Sequence, residues 1–112
     1  MKLLEKAERI RVYIGEDDKF KGRPTADVIV EEARKLGLAG ATVFRGMIGF
    51  GANSRIHTSK ILRLSEDLPV VVEIVEHPDR LIPLLEMLDT MLNEGMVTRE
   101  PVDVILYRHN KN

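Results

Sequence analysis

Cysteine is missing from the 112 residues, which excludes disulfides and thiolate metal sites. Tryptophan is missing too, and the aromatic residues are only Tyr13, Phe20, Phe44, Phe50 and Tyr107. Neither sign of charge is in excess: 17 Lys and Arg against 18 Asp and Glu leave a net charge of -1. Nothing therefore marks the whole surface as a binder of polyanions. No apolar run approaches the roughly 18 residues that a membrane span needs, and the opening Met-Lys-Leu-Leu-Glu-Lys is too short for a signal peptide. The expectation is a soluble cytoplasmic protein with no membrane insertion. A chain this short is expected to form one domain over residues 1–112, built on a single core.

What is present is periodic. Residues 7–14 alternate, with Ile10, Val12 and Ile14 on one face and Arg9, Arg11 and Tyr13 on the other, and predict a half-buried strand. Residues 15–24 gather Asp17, Asp18, Lys19, Lys21, Gly22 and Arg23 and predict a charged loop. Thr25 offers an N-cap oxygen, Asp27 complements the helix dipole, and Val28, Ile29, Ala33 and Leu36 share a face, so 25–36 is predicted as a helix ended by Gly37. Residues 40–48 and 68–76 predict the second and third strands. The latter carries Val70, Val71, Val72, Ile74 and Val75 on both faces, so the face that helices leave open should be covered, for instance by another subunit. Leu81, Leu84, Leu85, Leu88 and Leu92 follow a helical period that starts between Pro78 and Pro83 and stops at Gly95. Residues 102–107 predict a last strand entered through Pro101. The order β-α-β-β-α-β is that of a ferredoxin-like α+β fold, a four-stranded antiparallel sheet with two helices on one face.

Three function classes can be weighed. His57, His77 and His109 are too scattered for a metal site, and no Ser or Thr sits in a nucleophile turn, so neither an enzyme nor a metal protein is expected. The few aromatics do not form the RNA-binding consensus of such sheets, and a near-neutral chain attracts phosphate weakly, so no nucleic-acid partner is expected. A small-ligand site has more support. Residues 37–60 hold five of the eight glycines. Gly46, Gly49 and Gly51 around Phe50 would let a polyphosphate approach the main chain, with Arg45, Arg55, Arg99 and Lys60 offsetting its charge. A bulge or strand exit at Gly49 and Gly51 explains the same glycines equally well. Lys19, Lys21 and Arg23 lie just before a helix N-terminus and make a second candidate anion site, against the alternative of solvated loop charges. Residues 51–60 are polar, basic and too long for a tight turn, as functional loops often are.

The runs Gly40-Ala41-Thr42-Val43, Gly49-Phe50-Gly51, Leu68-Pro69, Glu73-Ile74-Val75 and Pro78-Asp79 resemble the PII signal-transduction proteins. Over nearly the whole chain the sequence is similar to a family of uncharacterised PII-like proteins, through Gly22-Arg23-Pro24, Gly37-Leu38-Ala39-Gly40-Ala41-Thr42, Arg45-Gly46, Gly49-Phe50-Gly51, Ile56-His57-Thr58, Leu64-Ser65 and Asp67-Leu68-Pro69-Val70-Val71. The resemblance implies a homotrimer with its sheets facing inward, effector sites between subunits, and a loop over 51–60 that contacts a regulated protein such as a membrane transporter or channel. It implies ATP or ADP as effector, with no obligatory cofactor. Thr42 would lie near the base, and Gly49, Phe50 and Gly51 would form the floor under the phosphates. Asn53, Ser54, Arg55, Ile56, His57 and Thr58 would meet the partner. Two departures stand out: the Gly40 to Gly49 spacing is one residue longer than in PII, and Met96-Val97-Thr98-Arg99-Glu100-Pro101 replaces the glycine- and lysine-bearing turn before the last strand. Arg99 would stand in for that lysine, opposed by Glu100. With no tyrosine in the loop, uridylylation there is excluded. The alternative function is a ferredoxin-like protein-interaction subunit without nucleotide binding.

Overall fold

The computed structural model describes residues 6–51 and 67–108. The alternating stretch forms β1 (Ala7–Gly15), one of the two inner strands of the sheet. With β4 (Thr42–Arg45), β5 (Pro69–Glu76) and β6 (Met96–Val102) it makes a four-stranded sheet of order β4-β5-β1-β6, antiparallel throughout. The helices α1 (Thr25–Lys35) and α2 (Pro78–Met91) cover one face. Each helix links two strands that have a third strand between them, so two split βαβ units interleave as in the ferredoxin-like fold. Ile10, Val12 and Ile14 of β1 and Val70, Val72 and Ile74 of β5 meet Ile29, Ala33, Leu81, Leu84, Leu88 and Met91 in one buried cluster.

Several local expectations change. The charged stretch before α1 contains a small hairpin of β2 (Lys19–Phe20) and β3 (Arg23–Pro24). Lys21 and Gly22 both take positive φ, 51° and 80°, as the two central residues of a type I′ turn must. The hairpin lets Phe20 pack against the core. Thr25 does not cap α1. Pro24 occupies the cap position, while Thr25 is the first helical residue, buried, with its N–H donating to the Asp18 carbonyl at 2.9 Å. Strand β4 is shorter than 40–48. The ladder stops at the Arg45 and Val70 pair because Pro69 has no N–H to continue it; instead the Gly46 N–H donates to the Pro69 carbonyl at 2.7 Å. Helix α2 starts at Pro78, capped by the His77 Nδ1 that accepts from the Asp79 N–H, and Pro83 lies inside it on the exposed side. There the missing N–H leaves only the Asp79 carbonyl to solvent.

The largest correction concerns the last strand. It is residues 96–102, not 102–107: Ala7 pairs with Val102 and Tyr13 with Met96, so the stretch expected as a turn runs along β1. The turn before it falls instead at Gly95, whose φ of 122° suits glycine. After Val102, residues 103–108 belong to no strand and have no ladder partner among the described residues.

Candidate functional site

Side chains alternate across a strand, so the registers fix what lies on the face without helices. Phe44, Val71, Tyr13 and Met96 form one row across all four strands, and Thr42, Glu73, Arg11 and Thr98 the next. The first row is apolar and open, with Phe44 52% and Met96 53% exposed. Beside it runs a belt of ion pairs: Arg9 to Glu100 at 2.7 Å, Arg11 to Glu73 at 2.9 Å and Arg11 to Glu100 at 3.6 Å. The hydrogen bond from Arg9 holds the Glu100 carboxyl below the usual carboxylate range, and the bond to Glu73 pushes the Arg11 guanidinium up.

At one end of the sheet, Gly49, Phe50 and Gly51 border a cavity of about 530 Å3 together with Gly15, Asp67 and Gly95. The glycines before it serve packing. A Cβ on Gly46 would stand 2.6 Å from the Pro69 ring, and one on Gly49 3.0 Å. Three carboxylate residues, Asp18, Asp67 and Glu94, also line this space. Two of them tie loops: Asp18 accepts from the Gly15 N–H at 3.0 Å and Asp67 from the Asp17 N–H at 2.9 Å. The cations expected around a phosphate lie elsewhere. Arg45 pairs with Glu16 at 2.9 Å, and Arg99 projects on the helix side of β6 with its Nε 3.7 Å from Glu8. Arg23 makes a two-pronged pair with Glu31, which lowers the Glu31 pKa and raises that of Arg23. Lys21 sits over the Phe20 ring, and Lys19 is exposed.

Thr42 belongs to a second cavity of about 540 Å3, on the open face at the β4 edge. Gly40, Ala41, Thr42, Glu73 and Val75 supply its floor, and residues 104–107 its opposite wall. The loop leading to Thr42 is held firmly. The Ala39 N–H donates to Glu76 Oε1 at 2.7 Å, the Ala39 carbonyl accepts from the Tyr107 hydroxyl at 3.2 Å, and Arg80 donates to the Gly37 carbonyl at 2.6 Å. Glu76 is fully buried, its other oxygen accepting from the His77 N–H at 2.9 Å. Thus Gly49 to Gly51 are brought together, while Thr42 and the five cations are not brought to them within one chain. Neither Glu76 nor Tyr107 was singled out from sequence. Glu76 could have been, since it continues the buried alternation of Val70, Val72 and Ile74. Asn53, Ser54, Arg55, Ile56, His57, Thr58 and Lys60 lie outside the described residues. Among the described residues no three acids or histidines cluster as a metal site would require. No helix among them is long and apolar enough to cross a membrane.

The fold shared with solved structures is that of PII-like proteins. CPII of Thiomonas intermedia K12, solved with ADP and bicarbonate, superposes with a TM-score of 0.62 over 90% of both chains at 15% identity. A PII-like signalling protein of Thermus thermophilus gives 0.55 over 90% of this chain and 89% of that one, at 17% identity. In sequence, a UPF0166 protein of Aquifex aeolicus is 38% identical over 100 residues, 89% of this chain and 94% of the relative. Another UPF0166 protein, from Methanocaldococcus jannaschii, is 33% identical over 95 residues, 82% and 85% of the two chains. Residues 7–104 match the DUF190 family, described as Uncharacterized ACR, COG1993, and the chain belongs to that family.

Proposed function

We propose that the protein is a non-catalytic cytoplasmic regulator that binds an adenine nucleotide, ATP or ADP, between copies of its chain and signals the occupancy to another protein through residues 51–60. The observation that carries this reading is the fold, shared over 90% of the chain with a protein solved with ADP. Two cavities support it. Thr42 lines one, where Ala41 and Val75 offer apolar surface to a base, and Gly49 to Gly51 line the other, where the lack of side chains at the two glycines lets a phosphate approach. Because one chain does not join the two, the nucleotide would bridge neighbouring copies in a homotrimer, with the Phe44, Val71, Tyr13 and Met96 row against its neighbours. Arg45, Arg99 and Arg23 would then act across the boundary by exchanging their present acid partners for phosphate, joined by Lys19 and Lys21. Thermal melting with and without ATP, ADP or AMP tests it: a ligand at 100 times its Kd adds about 2.7 kcal/mol of stability per site.

A second reading, a protein-interaction subunit that binds no nucleotide, is favoured by one observation. Asp18, Asp67 and Glu94 surround the Gly49 to Gly51 cavity and would repel phosphate unless cations arrive from a neighbour. Unchanged melting curves with all three nucleotides would select it. The regulated partner on this reading, as on the first, is a protein, such as a membrane transporter or channel.

A further inference from the structure

We propose that Glu76 and Arg80 are positioning residues of the Thr42 cavity: they hold the main chain of 37–39 so that Gly40, Ala41 and Thr42 stand in place as its floor before a ligand arrives. This rests on the reading of that cavity as the base end of the effector site. Between the end of α1 at Lys35 and the start of β4 at Thr42 the chain has no regular structure, and its first ladder pair is Thr42 with Glu73. Gly40 and Ala41 line the cavity from outside that ladder. The rest of the floor, Glu73 and Val75, is fixed by belonging to β5. Contacts other than strand pairing must therefore set Gly40 and Ala41 at the level of β5.

Two side chains do so, both rooted where β5 passes into α2. Glu76 ends β5 with no exposed surface, and its Oε1 accepts from the Ala39 N–H at 2.7 Å. Val70, Val72 and Ile74 fill the same face of the strand with aliphatic groups, and a carboxylate in their series costs free energy unless it is hydrogen-bonded. What it supplies that a valine cannot is a grip on the main chain of the loop. Arg80, in the first turn of α2, donates to the Gly37 carbonyl at 2.6 Å and has its Nη1 3.9 Å from Glu76 Oε2. Their common base is anchored: Leu81 and Leu84 are buried just beyond it, and His77 Nδ1 caps the helix. Neither Glu76 nor Arg80 is among the residues that line the cavity. A loop ordered in advance spares the ligand the entropy of ordering it, so the two tethers raise affinity without touching the ligand.

Calorimetric titration of an Arg80→Met variant with ATP, ADP and AMP, beside amide hydrogen exchange of the ligand-free protein, provides the test. Arg80 is exposed, so the variant loses the tether and keeps the fold, which unchanged exchange at Val70 to Ile74 verifies. Exchange at Ala39 to Ala41 should quicken, and all three nucleotides should bind about two- to tenfold more weakly, the effect of losing one hydrogen bond. Glu76→Gln, of equal size with one acceptor fewer, should act in the same direction. Arg80→Lys, which can still donate to Gly37, should recover part of the loss. The factor should be the same for the three nucleotides, because the tethers act on the base end. A loss that grows with the number of phosphates would show Arg80 acting as a cation on the phosphates and would overturn its positioning role. Unchanged exchange at Ala39 to Ala41 overturns the tethers, and unchanged affinities despite faster exchange overturn their effect on the ligand. If no nucleotide gives heat even with the wild type, the nucleotide reading fails and the affinity effect with it, while exchange still decides whether the floor is held.

Discussion

Single residues hold the ends of this sheet in place through contacts that local propensity does not describe. Glu76 is a carboxylate with no exposed surface, retained because the N–H groups of Ala39 and His77 both point at it. Glu76→Ala leaves those donors without an acceptor and is expected to destabilise the fold by about 1–3 kcal/mol in denaturant melts. Gly95 acts through its backbone: φ is 122°, and a Cβ would lie 2.7 Å from the Tyr13 carbonyl oxygen. Gly95→Ala should therefore cost about 1–3 kcal/mol, since the turn must shift before β6 can pair. Gly22→Ala, with open space around it, should cost less. Equal losses at the two glycines would show that φ alone, not the approach of β1 to the turn, sets the requirement at Gly95.

At the scale of elements, strand β6 carries the ion-pair belt to the edge of the sheet. Glu100 has a folded pKa below its ordinary 4.5, first because Arg9 donates to it. Its contribution to stability is thus present above pH 4.5 and is lost as pH falls through the lower folded value. Arg9→Gln should move the Glu100 titration, followed by carboxyl NMR, up toward 4.5; an unmoved titration would mean that Arg11 supplies the field instead. The same strand marks where sequence reading reached its limit. β1 and α2 were legible because Ile10 to Ile14 and the leucines from Leu81 repeat at the period of their element, and β5 because Val70 to Val75 is a short run rich in β-branched apolar residues. β6 was not: Thr98, Arg99, Glu100 and Pro101 lack an alternating apolar face, and it is a strand because β1 offers a partner. The more apolar stretch 102–107 looked more like a strand, yet beyond Val102 it has no ladder partner among the described residues. Of the site, the Gly49-Phe50-Gly51 turn was legible from its glycines. The acids around it and the Tyr107 contact come from distant parts of the chain and were not.

On the scale of the whole molecule, one face of the sheet is closed by helices, and the other presents an apolar row from Phe44 to Met96. Light scattering at micromolar concentration should give roughly three times the 12.7 kDa chain mass. Phe44→Glu should reduce it to that of one chain by placing a charge in the row. The most direct test of the account is calorimetric titration of the purified protein with ATP, ADP and AMP at one fixed protein concentration. The account predicts a saturable heat from ATP or ADP, one site per chain, that disappears in a folded Gly51→Val variant. No heat from any of the three at millimolar concentration would contradict it.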